Sequence, residues 1–157
     1  MGFGHIWCDI ISGLLGSSST RVLVNGIPGD IILHRRGLRH GDPLSPMLFI
    51  LVMDVLSLMV SMAATSGLLQ PLSSRALQHR ISLYADDVVL FLRPEANDIS
   101  ITMDILSLLG EASGLKTNVQ KSSAFPIRCR EEDIQVIHDN LPCEVSEFPC
   151  WYLGLPL

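Results

Sequence analysis

Two acids stand side by side at Asp86 and Asp87, between the apolar runs RISLY and VVLFL. Neighbouring carboxylates repel, so a fold that holds them together away from a basic partner is stabilised by a cation. Mg²⁺ suits such a pair: it takes carboxylate oxygens, keeps several waters and is completed by substrate phosphates, the arrangement used in two-metal phosphoryl transfer. Asp is also favoured in plain solvated turns. The dipeptide by itself leaves both readings open.

The elements that must position these acids can be read from periodicity. Residues 80–84 and 88–92 are strand-like, with Ala85, Asp86 and Asp87 between them, which predicts a hairpin carrying its acids at the tip. Residues 98–112 repeat apolar side chains at Ile99, Met103, Leu106 and Leu109 ahead of Gly114, predicting a helix with a glycine stop. A longer helix is expected from Pro43 or Pro46 to about Thr65, ended by Gly67 and, being apolar on nearly every face, buried on most sides. Upstream, residues 5–16 read as a short helix; residues 20–25 and 30–34 read as a hairpin turning through Gly26 to Gly29. Downstream come a turn-rich GLKTNVQKS, a short helix over residues 131–140, and WYLGLPL as a strand. No repeat or linker divides the 157 residues, and one domain is expected.

Composition narrows the function classes. The net charge of −5 disfavours a free-standing nucleic-acid binder, although residues 21–40 concentrate Arg21, Arg35, Arg36, Arg39, His34 and His40 against the single acid Asp30. Apolar residues make up 48% and mean hydropathy is +0.38, more apolar than a self-contained domain of this size, which implies surface meant to be covered. Cys8, Cys129, Cys143 and Cys150 lack metal-binding spacing and are expected as buried thiols in a reducing compartment, cytoplasm or nucleus. The stretch from Leu44 to Ala64 is long enough to span a bilayer, but Asp54 at its middle and several serines argue against a membrane partner.

The acids belong to the tetrapeptide YADD (residues 84–87), and its neighbours follow a recognisable order: RGLRHGDPLSP (residues 36–46) before it, GLKTNVQKS (114–122) and YLGLPL (152–157) after it. In this order and spacing the chain resembles the palm region of reverse transcriptases from the second palm motif onward. The likeness is to non-LTR (LINE-type) retrotransposons of plant genomes, with LVNGIPG and PIRC as further familiar segments. The resemblance implies an α+β palm subdomain, an antiparallel sheet containing the 80–92 hairpin and backed by the two longer helices. Residues 1–157 would then form a partial domain without fingers, first palm motif or thumb.

It also implies roles. Asp86 would bind the catalytic Mg²⁺ ions (Mn²⁺ in substitution), with Asp87 supporting the site, so that both aspartates are the expected metal ligands. Tyr84 and Ala85 would lie by the primer terminus. Gly41, Pro43 and Ser45, with Arg39 and His40, match the loop and helix start that meet the template base and incoming nucleotide. Lys121 matches the lysine that protonates departing pyrophosphate. The implied partners are an RNA template, a DNA primer and a deoxynucleoside triphosphate. Taken singly, Gly41 is also a turn glycine, Pro43 a helix start, Lys121 a solvated lysine, and Trp151 and Tyr152 core aromatics.

Two departures matter. His40 stands where the family usually has Gln, replacing a two-way amide by a group whose charge depends on pH. No F-D-x-A-[FY]-D, the family's first palm motif with its third carboxylate, occurs before residue 20. The expectation is an RNA-directed DNA polymerase domain that is inactive as these 157 residues alone. The alternative is a noncatalytic retroelement-derived module for protein or nucleic-acid interaction.

Overall fold

The structure, a computed structural model, describes residues 2–35, 38, 41–72 and 79–156. The chain forms two compact units, residues 1–49 and 50–157.

In the first unit, α1 (His5–Gly16) is followed by β1 (Ser19–Thr20), β2 (Leu23–Val24), β3 (Ile27–Pro28) and β4 (Ile32–Leu33). β2 pairs with β3 and β1 with β4, all antiparallel, making one interrupted hairpin. Its turn is at Asn25–Gly26, not at Gly26 to Gly29. Val24 pairs with Ile27, and the two loop residues take φ of 51° and 82°, the type I′ geometry whose twist suits flanking strands. Asn and Gly are the residues that tolerate it. Pro28, expected in the turn, instead occupies β3 opposite Leu23.

His34 locks the open end of this hairpin. Its ring Nδ1 lies 3.0 Å from Ser18 Oγ and its Nε2 2.7 Å from Thr20 Oγ1, while its backbone N–H donates to Ser18 O at 2.9 Å. Among the described residues of this unit none is buried; α1 leaves Ile6, Ile10, Leu14 and Leu15 exposed, with Phe3 stacked on Trp7 at 4.1 Å.

The long helix α2 (Leu44–Thr65) starts where Pro and Asp place it. Asp42 Oδ1 accepts the Leu44 N–H at 2.8 Å and its carbonyl accepts from Ser45 N–H at 3.1 Å, so Asp42 caps the helix, with Pro43 leading into Leu44. Gly67 ends it at φ 73°, where the Leu68 and Leu69 N–H groups fold back onto Ala63 O. The expectation that this helix is buried on most sides is overturned. Only Met53, Leu56, Val60 and Ala63 are buried, one stripe at helical spacing, while Met47, Ile50, Leu58 and Met62 are exposed. By length and composition alone α2 is long and apolar enough to cross a membrane.

The second unit holds the buried core: Met53, Leu56, Val60, Ala63, Leu69, Ile99, Leu109 and Ile137. Burying eight such side chains, at about 1 to 3 kcal/mol each, is the main force holding this unit together. Within it β5 (Ile81–Tyr84) and β6 (Asp87–Leu90) form the expected hairpin, in register from Ile81↔Leu90 to Tyr84↔Asp87. α3 (Ala96–Ser113) ends at Gly114, whose φ of 77° allows its N–H to return to Gly110 O at 2.8 Å. Gly110 sits inside the last turns of this helix because a Cβ there would lie 2.8 Å from the Leu115 carbonyl oxygen.

A single 3₁₀ turn (Val119–Lys121) leads to β7 (Ser123–Ala124), α4 (Glu131–Asn140) and β8 (Glu144–Val145). β7 and β8 are parallel, with α4 as the crossover that parallel pairing requires. The C-terminal WYLGLPL is not one strand. β9 (Trp151–Tyr152) and β10 (Leu155–Pro156) form a third two-residue hairpin, with Leu153 at φ 53° and Gly154 at 78°.

The α+β composition expected from the sequence is therefore present. Among the described residues the strands pair in twos, in five separate ladders, all antiparallel except β7–β8. The four cysteines carry no disulfide, but the expectation of burial fails: Cys8 is exposed and the others are partly exposed.

Candidate active site

Tyr84 and Asp87 close the last rung of the β5–β6 ladder, so Ala85 and Asp86 are the whole turn. Asp87, expected in the turn, is the first residue of β6. Ala85 takes φ 50°, a left-handed conformation that costs a residue with a Cβ roughly 1 kcal/mol. All four residues are exposed, Tyr84 to 60%, and among the described residues no ion pair engages either aspartate. The tip thus presents two adjacent carboxylates to solvent, with no ion pair to either among the described residues. That donor set is hard and anionic, as Mg²⁺ or Mn²⁺ prefers, with room for the waters such ions keep.

The hairpin's base is the opposite environment. Arg80, immediately before β5, is 7% exposed and continues the ladder through its carbonyl, which accepts the Phe91 N–H at 2.8 Å. Its guanidinium donates through Nη2 to Gln70 O and lies, through Nη1, 3.9 Å from Asp98 Oδ2. Asp98, in the first turn of α3, is 0% exposed and accepts the Gln70 backbone N–H on both oxygens at 3.1 and 3.2 Å. Just beyond β6, Arg93 Nε donates to Pro71 O at 3.0 Å. Two arginines, one beyond each strand, thus grip consecutive carbonyls, Gln70 O and Pro71 O, of the segment whose Gln70 N–H Asp98 holds. Sequence reading missed this set. An Asp near a helix start reads as a dipole-favoured surface acid, and only the pairing of Arg80 and Arg93 about the YADD turn hinted otherwise.

Of the remaining expected site residues, three stand in the first unit. Gly41 takes φ 81°, which its residue type permits, and Pro43 and Ser45 flank the first residue of α2. Beside them is a cavity of about 250 Å³ lined by Leu14, Ser17, Asp42, Ser45 and Leu48. Arg39 and His40 lie outside the described residues, as does Arg36. Of the basic stretch, Arg21 and Arg35 are exposed, whereas His34 is engaged by both ring nitrogens in the hairpin clasp. Lys121 closes the 3₁₀ turn and is exposed; among the described residues no ion pair joins it to Asp86 or Asp87. Groups of three or more His, Cys, Asp or Glu able to surround one ion are absent among the described residues.

Comparison with known proteins fits this geometry. A retrovirus-related Pol polyprotein from a type-1 retrotransposable element R2 of Popillia japonica is 31% identical over 81% of the chain and 17% of its own length. The corresponding type-2 element R2DM of Drosophila melanogaster is 28% identical over 93% of the chain and 12% of its own length. An uncharacterized mitochondrial protein of Arabidopsis thaliana is 43% identical over 41% of the chain and 55% of its own length. The chain thus spans about half of one relative and less than a fifth of the other two. Residues 2–157 match the family described as reverse transcriptase (RNA-dependent DNA polymerase). The chain that carries two acids on its hairpin tip therefore belongs to the reverse transcriptase family.

Proposed function

We propose that this chain is the metal-bearing palm segment of a retroelement RNA-directed DNA polymerase, and that these 157 residues do not extend a primer by themselves. The observation that carries the reading is the pair of adjacent carboxylates, Asp86 and Asp87, exposed at a two-residue hairpin turn in a chain of this family. Asp86 and Asp87 would hold Mg²⁺, which when bound supplies activation of a primer 3′-hydroxyl and neutralisation of triphosphate charge.

The side chains divide the remaining work. Tyr84 and Ala85 bracket the primer end. Gly41, Pro43 and Ser45, with Arg39 and His40, set the template base and nucleotide, where a glycine admits close approach of the backbone. Lys121 delivers a proton to pyrophosphate as it departs. Two carboxylates make a sparse cage for an ion that must be held in a fixed geometry.

The test is primer extension on poly-rA with Mg²⁺ or Mn²⁺, comparing the purified chain with its Asp86→Asn/Asp87→Asn variant, beside a Mn²⁺ titration of both. No synthesis, with Mn²⁺ broadening the amide signals of residues 85–88 only when both aspartates are present, is the expected result. Synthesis abolished in the variant overturns the claim of an incomplete site. Absence of Mn²⁺ broadening in the unaltered chain overturns the metal assignment.

A further inference from the structure

The hairpin tip is exposed, whereas Arg80 at its base is buried and tied to other segments, so the direction in which Asp86 and Asp87 point is set from the Arg80 end. We propose that Arg80 and Asp98 are positioning residues: their pair, closed through the Gln70 backbone, fixes the angle of the β5–β6 hairpin on α3 and hence where the two aspartates stand. This rests on the reading that those aspartates are the metal ligands.

Three observations carry it. Asp98 is fully buried, yet its carboxylate reaches outside its own helix, taking the Gln70 N–H on both oxygens and facing Arg80. Arg80 belongs to the hairpin through its backbone and to the Gln70 loop through its side chain, while Arg93 repeats the grip from the other strand on Pro71. Among the described residues, buried Arg80 Nη1 has no hydrogen-bond partner. A polar arrangement of this kind, left incomplete in a small core, is a poor device for stability, since well-packed apolar side chains in its place are commonly as stable or more so. What it supplies is direction, because a guanidinium and a carboxylate meet in few geometries and methyl groups in many.

Leverage makes the angle matter. Six residues separate Arg80 from Asp86, about 20 Å of extended chain, so a tilt of about 10° at the base moves the tip by about 3 Å. Metal coordination tolerates errors of only about 0.2 Å. Asp86 and Asp87 travel together, so a tilt leaves their affinity for an ion unchanged and displaces that ion relative to everything else.

The experiment uses the whole chain with three variants, Asp98→Asn, Arg80→Met/Asp98→Leu and Asp86→Asn/Asp87→Asn. Thermal melting measures stability, and residual dipolar couplings of the amides in β5, β6 and α3 measure the hairpin's orientation without any metal. Asp98→Asn is expected to melt lower. The apolar double variant is expected to regain the melting temperature while its hairpin reorients on α3 by about 10° or more, with unchanged Mn²⁺ broadening at residues 85–88. Wild-type orientation in the well-folded double variant overturns the proposal, leaving the pair an ordinary core contact. Reorientation in a chain whose aspartates bind no Mn²⁺ upholds the positioning role and overturns the metal reading, so the two failures are distinct.

Discussion

The β2–β3 and β5–β6 hairpins reverse the chain with loops of the same two-residue length, and they are built on opposite terms. At Asn25–Gly26 both loop residues have positive φ and both are types that accept it, while the strands beside them are exposed and clasped by His34. At Ala85–Asp86 the residue with positive φ is an alanine, two acids adjoin with no ion pair to either among the described residues, and buried Arg80 and Asp98 meet at the hairpin's base. The first turn is made by local chemistry. The second is made against it, which is what a turn chosen for its carboxylates rather than its conformation looks like.

The contrast is broken most forcefully at the clamp. Replacing Asp98 by Ala leaves Arg80 buried and uncompensated, and about 3 kcal/mol of stability should be lost from the second unit, read as a fall in melting temperature. Arg21→Ala beside the first hairpin, an exposed position, should change stability by less than about 0.5 kcal/mol. Equal losses at the two sites would remove the distinction between a clamped and a free hairpin.

A smaller effect tests the turns themselves. Left-handed φ costs a residue with a Cβ roughly 1 to 2 kcal/mol, and glycine gives back about 0.4 to 1 through the freedom of its unfolded chain. Gly26→Ala should therefore weaken the first hairpin by roughly 0.5 kcal/mol, and Ala85→Gly should strengthen the second by a similar amount. Cross-strand nuclear Overhauser intensities between Leu23 and Pro28, and hydrogen exchange of Leu83 and Val89, measure the two. Effects of the same sign would show that loop conformation does not separate these turns.

The smallest effect concerns an acid that does have a cationic partner. Asp133 accepts the Arg130 backbone N–H at 3.0 Å and faces its guanidinium at 3.4 Å, and these hydrogen bonds hold its carboxyl below its ordinary value of 3.8. A lowered value stabilises the folded form above the ordinary value, and the contribution is lost as pH falls through the still lower folded one. As pH falls below 3.8, α4 in the unaltered chain should lose order at its first turn. In Asp133→Asn that pH-dependent component should vanish, as chemical shifts of residues 130–134 would report.

Much of this was legible in the sequence because period and punctuation agreed. α1, α4 and the β5–β6 hairpin lie close to where spacing puts them, and α3 is longer by two residues at its start and one at its end. Where signals competed, the reading went wrong. Pro28 and Gly29 drew the first turn away from Asn25–Gly26, although an Asn-Gly pair between apolar runs is the stronger hairpin signal. WYLGLPL hid a hairpin because Leu153 gives no hint of the left-handed conformation that Gly154 shares with it. Burial failed differently: the apolar sequence of α2 states what the helix could cover, and only a packed partner decides which of its faces is covered. Asp98 was illegible because its partners, Arg80 and the Gln70 backbone, are brought to it by tertiary structure.

Gly110 and Gly114 carry a last consequence. Glycine inside a helix is ordinarily a defect, and alanine the remedy, worth up to about 1 kcal/mol. Here the Leu115 carbonyl rests where a methyl group would go, so the chain leaving α3 lies against the helix it has just left. The rule of thumb for strengthening helices changes sign at this position. Gly110→Ala, which would improve α3 as an isolated helix, would here push against the segment leading to Lys121.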